Sequence, residues 1–141
     1  MISSVSLSPR GEQRLRGGHP WIYRTDVTAV SAEPGDIVVV KNAKGRVLGS
    51  ALYSEQSQIA VRMLTYGERP ADEALMASRI EAAIEFRESL GIDGSAYRLF
   101  HGEGDLLPSL VVDRYAHRQR RHRTRERGRQ LHPHAGLRLR R

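Results

Sequence analysis

Apolar and polar positions alternate with a short period over the first seventy residues. In ISSVSLS (2–8), Ile2, Val5 and Leu7 keep a rhythm that suits a short strand. Ser8 then precedes Pro9 as a candidate N-cap, and RGEQRLR predicts a helix that Gly17 and Gly18 end. VTAV (27–30) predicts a strand. The β-branched run DIVVVK (36–41) predicts a buried one. NAKG (42–45) supplies a tight turn in which Gly45 takes positive φ, and RVLGSALY (46–53) returns as the hairpin partner. SQIAVRMLTY (57–66) sets Ile59, Val61 and Met63 against Ala60, Arg62 and Leu64 on the other side. Five short strands and one early helix predict a small, mostly-β, barrel-like domain over residues 1–70.

The period then lengthens. ADEALMASRIEAAIEFRESLGI places Met76, Ile80, Ala83 and Ile84 at helical spacing, widened by Phe86 and Leu90. Asp72 and Glu73 stand in the first turn, where the helix dipole favours them, and Gly91 is the expected stop. AYRLFHGEGD and SLVVDRY read as two strands around a Leu-Leu-Pro turn. One helix and two strands do not close a core. Residues 71–115 therefore read as the helix and the start of an incomplete α/β domain, and 116–141 as an Arg/His-rich tail expected to be disordered.

Charge sharpens this division. The formal net charge is +7, yet residues 117–141 hold ten Arg against the single acid Glu126. The rest of the chain is slightly acidic, although residues 1–70 carry nine basic side chains against six acids. Attraction for phosphate must come from those seventy residues or from the tail. The sequence has no cysteine, which excludes disulfides, Cys-ligated zinc and a cysteine nucleophile within it. The start MISSVSLSPRGEQ has no signal-peptide pattern, and no apolar run approaches the ~20 residues that span a bilayer. A soluble, cytoplasmic protein with no membrane partner is expected.

The candidate binding residues are Arg10, Arg14, Arg16, Arg24, Lys41, Lys44 and Arg62, a set that reads either as a phosphate-binding surface or as a solvated basic face. In GGHPWIY (17–23), Trp21 is a possible base-stacking platform, but a lone Trp after a helix more often fills the core. His19 is left as the exposed candidate. His101, Glu103 and Asp105 fall at alternate positions and would share a strand face, as metal ligands, as an acid/base group, or simply as a polar surface. No metal site is assigned.

RGEQRLRGGHPWIYRTDV, GSALYSEQSQIAVRML and YRLFHGEGDLLPSLVVDRY occur in the order found in one known family. Residues 1 to about 115 resemble the N-terminal part of the class I SAM-dependent methyltransferases that modify cytosine C5 in 23S ribosomal RNA. The resemblance implies an α+β chain: a small PUA-type mostly-β barrel, then a helix and the first strands of an incomplete α/β linking domain, then the basic tail. It also implies that the basic set lines a groove between the early helix and a neighbouring strand and takes structured RNA, ribosomal RNA foremost, by charge and shape. Where Leu106 and Ser109 stand, the family usually has a small residue, often glycine, so a differently shaped turn is expected.

The same resemblance implies S-adenosylmethionine as cofactor of the full-length family, bound by a Rossmann-type domain for which this chain has no counterpart. Cytosine C5 needs activation by a thiolate at C6, and the chain has no cysteine. GEGDLL (102–107) has two glycines but no helix behind it. Hence no catalytic and no cofactor-binding residue is assigned, and the chain reads as an RNA-binding module rather than an enzyme by itself. An intact enzyme would need a partner chain carrying the Rossmann domain. A basic-tailed RNA- or ribosome-associated protein with no link to methyl transfer is the alternative. The tail itself has three readings: an Arg-rich arm, a histidine-bearing metal scavenger, or an out-of-frame reading of GC-rich DNA. The last is favoured because residues 116–141 lack Lys, Ile, Asn, Phe and Tyr.

Overall fold

The computed structural model describes residues 2–115 and 137–140. The chain divides into two compact units, Met1–Ala77 and Ser78–Arg141. The first contains strand β1 (Ser4–Leu7), helix α1 (Pro9–Arg16), β2 (Trp21–Tyr23), a 3-10 turn (Arg24–Asp26), β3 (Val27–Ser31), β4 (Ile37–Lys41), β5 (Val47–Tyr53) and β6 (Ile59–Tyr66). These strands make one six-stranded sheet in the order β2-β6-β5-β4-β1-β3. β1 runs parallel to β4, and the other pairs are antiparallel.

Connectivity forces this sheet to curl. β2 and β3 lie at its opposite edges, yet Tyr23 and Val27 are joined through only the 3-10 turn. That stretch reaches at most about 14 Å. A flat six-stranded sheet would hold its edges about 24 Å apart. The result is a half-barrel, as the sequence pattern led us to expect. Val5, Leu7, Ile22, Val38, Val40, Ala51 and Val61 fill its interior with no exposed surface, and Leu15 of α1 joins them. Each fully buried Val, Leu or Ile contributes roughly 1.5–3 kcal/mol.

The expected elements form, with three local differences. β2 was not foreseen, because three residues are too few to show a period. β6 does not alternate cleanly: Ala60 and Val61 both face the core. Its pairing with β2 shifts from Val61 to Ile59 between Ile22 and Tyr23, so Ala60 is the extra residue of a bulge. Gly49 is required by close approach, since a Cβ there would lie 2.1 Å from the Thr65 carbonyl oxygen.

Helix α2 (Glu73–Ser89) crosses the boundary between the units in sequence. Asp72 caps it, its Oδ1 accepting from the Leu75 amide at 2.9 Å, and Gly91 follows it with φ 56°. In the second unit β7 (Ala96–His101) and β8 (Val111–Tyr115) pair antiparallel, and β9 (Leu137–Arg140) adds to β8. Phe100, Leu107 and Val112 are buried there. The second half of AYRLFHGEGD, expected as strand, is a 3-10 turn (Gly102–Asp105). The disorder and reading-frame expectations for the tail cover residues 116–141, of which 116–136 and 141 lie outside the described residues. Residues 137–140 do pair as a strand, and LRLR has the two-residue period that suits one.

Candidate nucleic-acid interface

Helix α1 organises the site. Pro9 opens it, and the Ser8 hydroxyl accepts from the Gly11 amide at 3.1 Å. Gly11 and Leu15 are its buried residues, so the charged positions flank that stripe. At about 100° per residue, Arg10 and Arg14 fall on one flank, while Glu12 and Arg16 fall on the other. The predicted arginine set is therefore divided.

On the first flank the arginines converge on Asp26, which has no exposed surface. Arg10 donates its Nε–H to Asp26 Oδ1 and an Nη2–H to the Thr25 hydroxyl at 3.2 Å. Arg14 Nε stands 3.4 Å from Asp26 Oδ2, an ion-pair distance without hydrogen-bond geometry. The Arg14 guanidinium carbon lies 5.0 Å from the centre of the Tyr23 ring, within cation–π range. The helix sits close on this turn: a Cβ on Gly11 would lie 3.0 Å from Asp26 Cβ. The Ser8 amide also donates to the Asp26 carbonyl at 2.8 Å.

On the second flank Arg16 donates to Glu12 Oε1 at 2.8 Å, and Asn42 Nδ2 donates to the same oxygen at 3.3 Å. Those two bonds, Arg16 first, hold the Glu12 carboxyl below the usual range. Asn42 Oδ1 accepts from the Lys44 and Arg46 amides, so the β4–β5 turn carrying Lys44 is tied to α1. Lys41 is half-buried at the end of β4, and Lys44 is exposed.

Arg24 and Arg62 form a third group. Arg24 donates to the Ser54 and Ser57 carbonyls, both at 3.0 Å, and Arg62 to the Ile59 carbonyl at 3.2 Å. They brace the loop between β5 and β6. His19 is exposed just beyond α1, its amide donating to the Arg14 carbonyl at 3.2 Å.

Sequence reasoning favoured Trp21 as core, and the structure corrects this. Alternation along β2 turns Ile22 inward, so Trp21 and Tyr23 point the other way, half-buried, with Trp21 opposite Arg62 in register. Among the described residues, the buried side-chain polar atoms without a hydrogen-bond partner are Trp21 Nε1 and Asp26 Oδ2. Asp26, Tyr23 and Arg46 were missed. The two-residue spacing of Trp21 and Tyr23 could have exposed the aromatic face, and Arg46 completes the basic run KGR. Nothing in YRTDV marks Asp26 as buried.

The triplet His101, Glu103 and Asp105 does not share a strand face, because residues 102–105 wind as a 3-10 turn. No group of metal-ligating side chains occurs among the described residues. Asp105 instead pairs with Arg87 through two bonds of 2.6 and 2.7 Å and accepts the His101 amide. Leu106 and Ser109 have φ of 58° and 65°, so the turn keeps the left-handed backbone that favours glycine. The segment 102–107 lies between antiparallel strands, so it does not fit the strand–loop–helix of an S-adenosylmethionine site.

A helix laid on a half-barrel, with basic side chains on both flanks, matches a known domain: residues 5–66 fit the PUA-like domain family. Residues 5–66 are a PUA-like domain. Homology extends further along the chain. A ribosomal RNA large subunit methyltransferase of Deinococcus radiodurans is 38% identical over 122 residues, covering 79% of this chain and 30% of the relative. A ribosomal RNA large subunit methyltransferase I of Shewanella amazonensis is 38% identical over 123 residues, covering 82% and 31%. A Streptococcus mutans structure described as that of a SAM-dependent methyltransferase shares the fold, with a TM-score of 0.67 at 19% identity, over 82% of this chain and 31% of that one. The chain thus spans about 30% of the length of the curated relatives it matches, at their N-terminal end. Among the described residues no helix is long and apolar enough to cross a membrane.

Proposed function

We propose that the PUA-like domain binds structured RNA, ribosomal RNA foremost, and serves as the recognition module of a SAM-dependent 23S ribosomal RNA cytosine-C5 methyltransferase. On this reading methyl transfer and cofactor binding belong to parts beyond residues 1–115, and these residues supply contact and orientation. The observation that carries the reading is the pairing of a PUA-like half-barrel with an α1 whose guanidinium groups line both flanks, in a chain homologous to ribosomal RNA methyltransferases.

RNA contacts of this kind are electrostatic in strength and geometric in preference. Guanidinium groups release condensed counterions on meeting phosphates, and a shaped surface selects folded over extended strands. The membership in RNA processing, and cytosine as the base, rest on the resemblance of HPW, G-x-A-x-Y-x-x-x-S-x-I and Y-R-L-x-H-G-E to the family. Two assays on the purified chain test the proposal. Binding to a ribosomal RNA fragment should exceed binding to a homopolymer of equal length. Incubation with labelled S-adenosylmethionine and ribosomal RNA should transfer no methyl group above background. Absence of the RNA preference refutes the recognition role, and turnover refutes the division of labour.

A further inference from the structure

We propose that Asp26 is a positioning residue that sets Arg10 and Arg14 as a fixed two-guanidinium clamp for a backbone phosphate of folded RNA. The inference rests on the RNA-binding reading above and names the part of the surface that reads shape.

Its basis is the way each guanidinium is used. Arg10 spends its Nε–H on Asp26 and its Nη2 on Thr25, which leaves the Nη1 hydrogens unspent among the described residues. Arg14 has Nε against Asp26 and its carbon against Tyr23, which leaves both Nη groups unspent. The ends that remain belong to side chains 63% and 36% exposed, whereas the carboxylate that holds them is fully buried. Two guanidinium groups whose Nε edges face one buried carboxylate, Arg10 through a hydrogen bond and Arg14 at ion-pair distance, with open Nη edges, present the forked donors that suit a phosphate. Anchoring removes rotamer freedom before binding, so less entropy is lost on contact. The opposite flank differs, because Glu12, which holds Arg16, keeps 18% of its side-chain surface exposed and is shared with Asn42.

A purely structural role for Asp26 predicts the opposite response to substitution. Removing a carboxylate beside two arginines makes the surface more positive, and charge alone then tightens RNA binding. Positioning predicts weaker, less selective binding despite the added positive charge. The test measures the full chain against an RNA hairpin and a single-stranded homopolymer of equal length, so that the contribution of the Arg-rich segment is common to both. Asp26→Asn should lower the hairpin preference about tenfold, the loss expected for a charged-group hydrogen bond. Arg10→Lys keeps the charge, alters an exposed side chain, and decides the matter if Asp26→Asn fails to fold. It should lower the preference similarly with the salt slope unchanged. A preference that survives Arg10→Lys, or that Asp26→Asn leaves equal or raised, overturns the inference while sparing the RNA-binding reading. A wild-type chain with no preference removes both.

Discussion

Replacing Asp105 by Asn should loosen the β7–β8 hairpin by about two orders of magnitude in its opening equilibrium. The carboxylate receives two guanidinium bonds of 2.6 and 2.7 Å from Arg87 and one amide bond of 2.6 Å from His101. The two side chains are only 11% and 8% exposed. Breaking a buried ion pair by removing one charge costs about 3–5 kcal/mol. Asn keeps the shape and one acceptor oxygen, which favours the low end, about 3 kcal/mol. Burial pushes the Asp105 carboxyl up, but the Arg87 and His101 bonds outweigh it and hold the carboxyl below its ordinary range. The stabilisation is therefore complete above the unfolded value near 3.9 and disappears as pH falls through the lower folded value. Amide hydrogen exchange across Ala96–His101 and Val111–Tyr115 should accelerate about 100-fold in Asp105→Asn at neutral pH. The gap from the wild type should begin to narrow below about pH 4 and close only as pH falls past the lower folded value. Acceleration under about fivefold, or a gap that persists in acid, refutes the assignment of this pair.

Other consequences concern backbone shape and charge. Leu106→Gly and Ser109→Gly should each stabilise the second unit by about 0.5–1 kcal/mol, because they release a left-handed L-residue at some cost in chain entropy. Urea unfolding would read this directly, since Leu106 is 62% exposed and loses no core contact. Gly49→Ala should destabilise the half-barrel by about 3 kcal/mol or abolish soluble expression, as the new methyl meets a backbone oxygen at 2.1 Å. Deleting residues 117–141, which hold ten Arg, should weaken binding to any RNA and make the dependence of log affinity on log salt shallower, yet leave a preference for folded RNA.

The strands and both helices of residues 2–115 were largely legible, because a curled sheet with one buried face writes a two-residue period and α1 carries its own cap in Ser8 and Pro9. What the period could not convey was the bulge at Ala60, where one inserted residue turns two neighbours inward. The 3-10 turn over 102–105 was hidden for a related reason, since alternate polar residues look alike in a strand and in a tight turn. The basic set was visible as charge but not as geometry. Arg14 and Arg16 are two positions apart in sequence and fall on opposite flanks of α1, and only the fold shows that Arg10 and Arg14 share a buried carboxylate. Arg24 and Arg62, equally basic on paper, brace a loop.

The central claim is that folded RNA is read by the PUA-like domain and not by the Arg-rich segment alone. Backbone amide chemical shifts of the full chain, followed while a ribosomal RNA fragment is titrated in, test it most directly. The account predicts the largest changes over Arg10–Arg16, at His19 and across Trp21–Asp26, with smaller ones at Lys44 and Arg46. Changes confined to residues 117–141, with α1 and β2 unmoved at saturation, would contradict it.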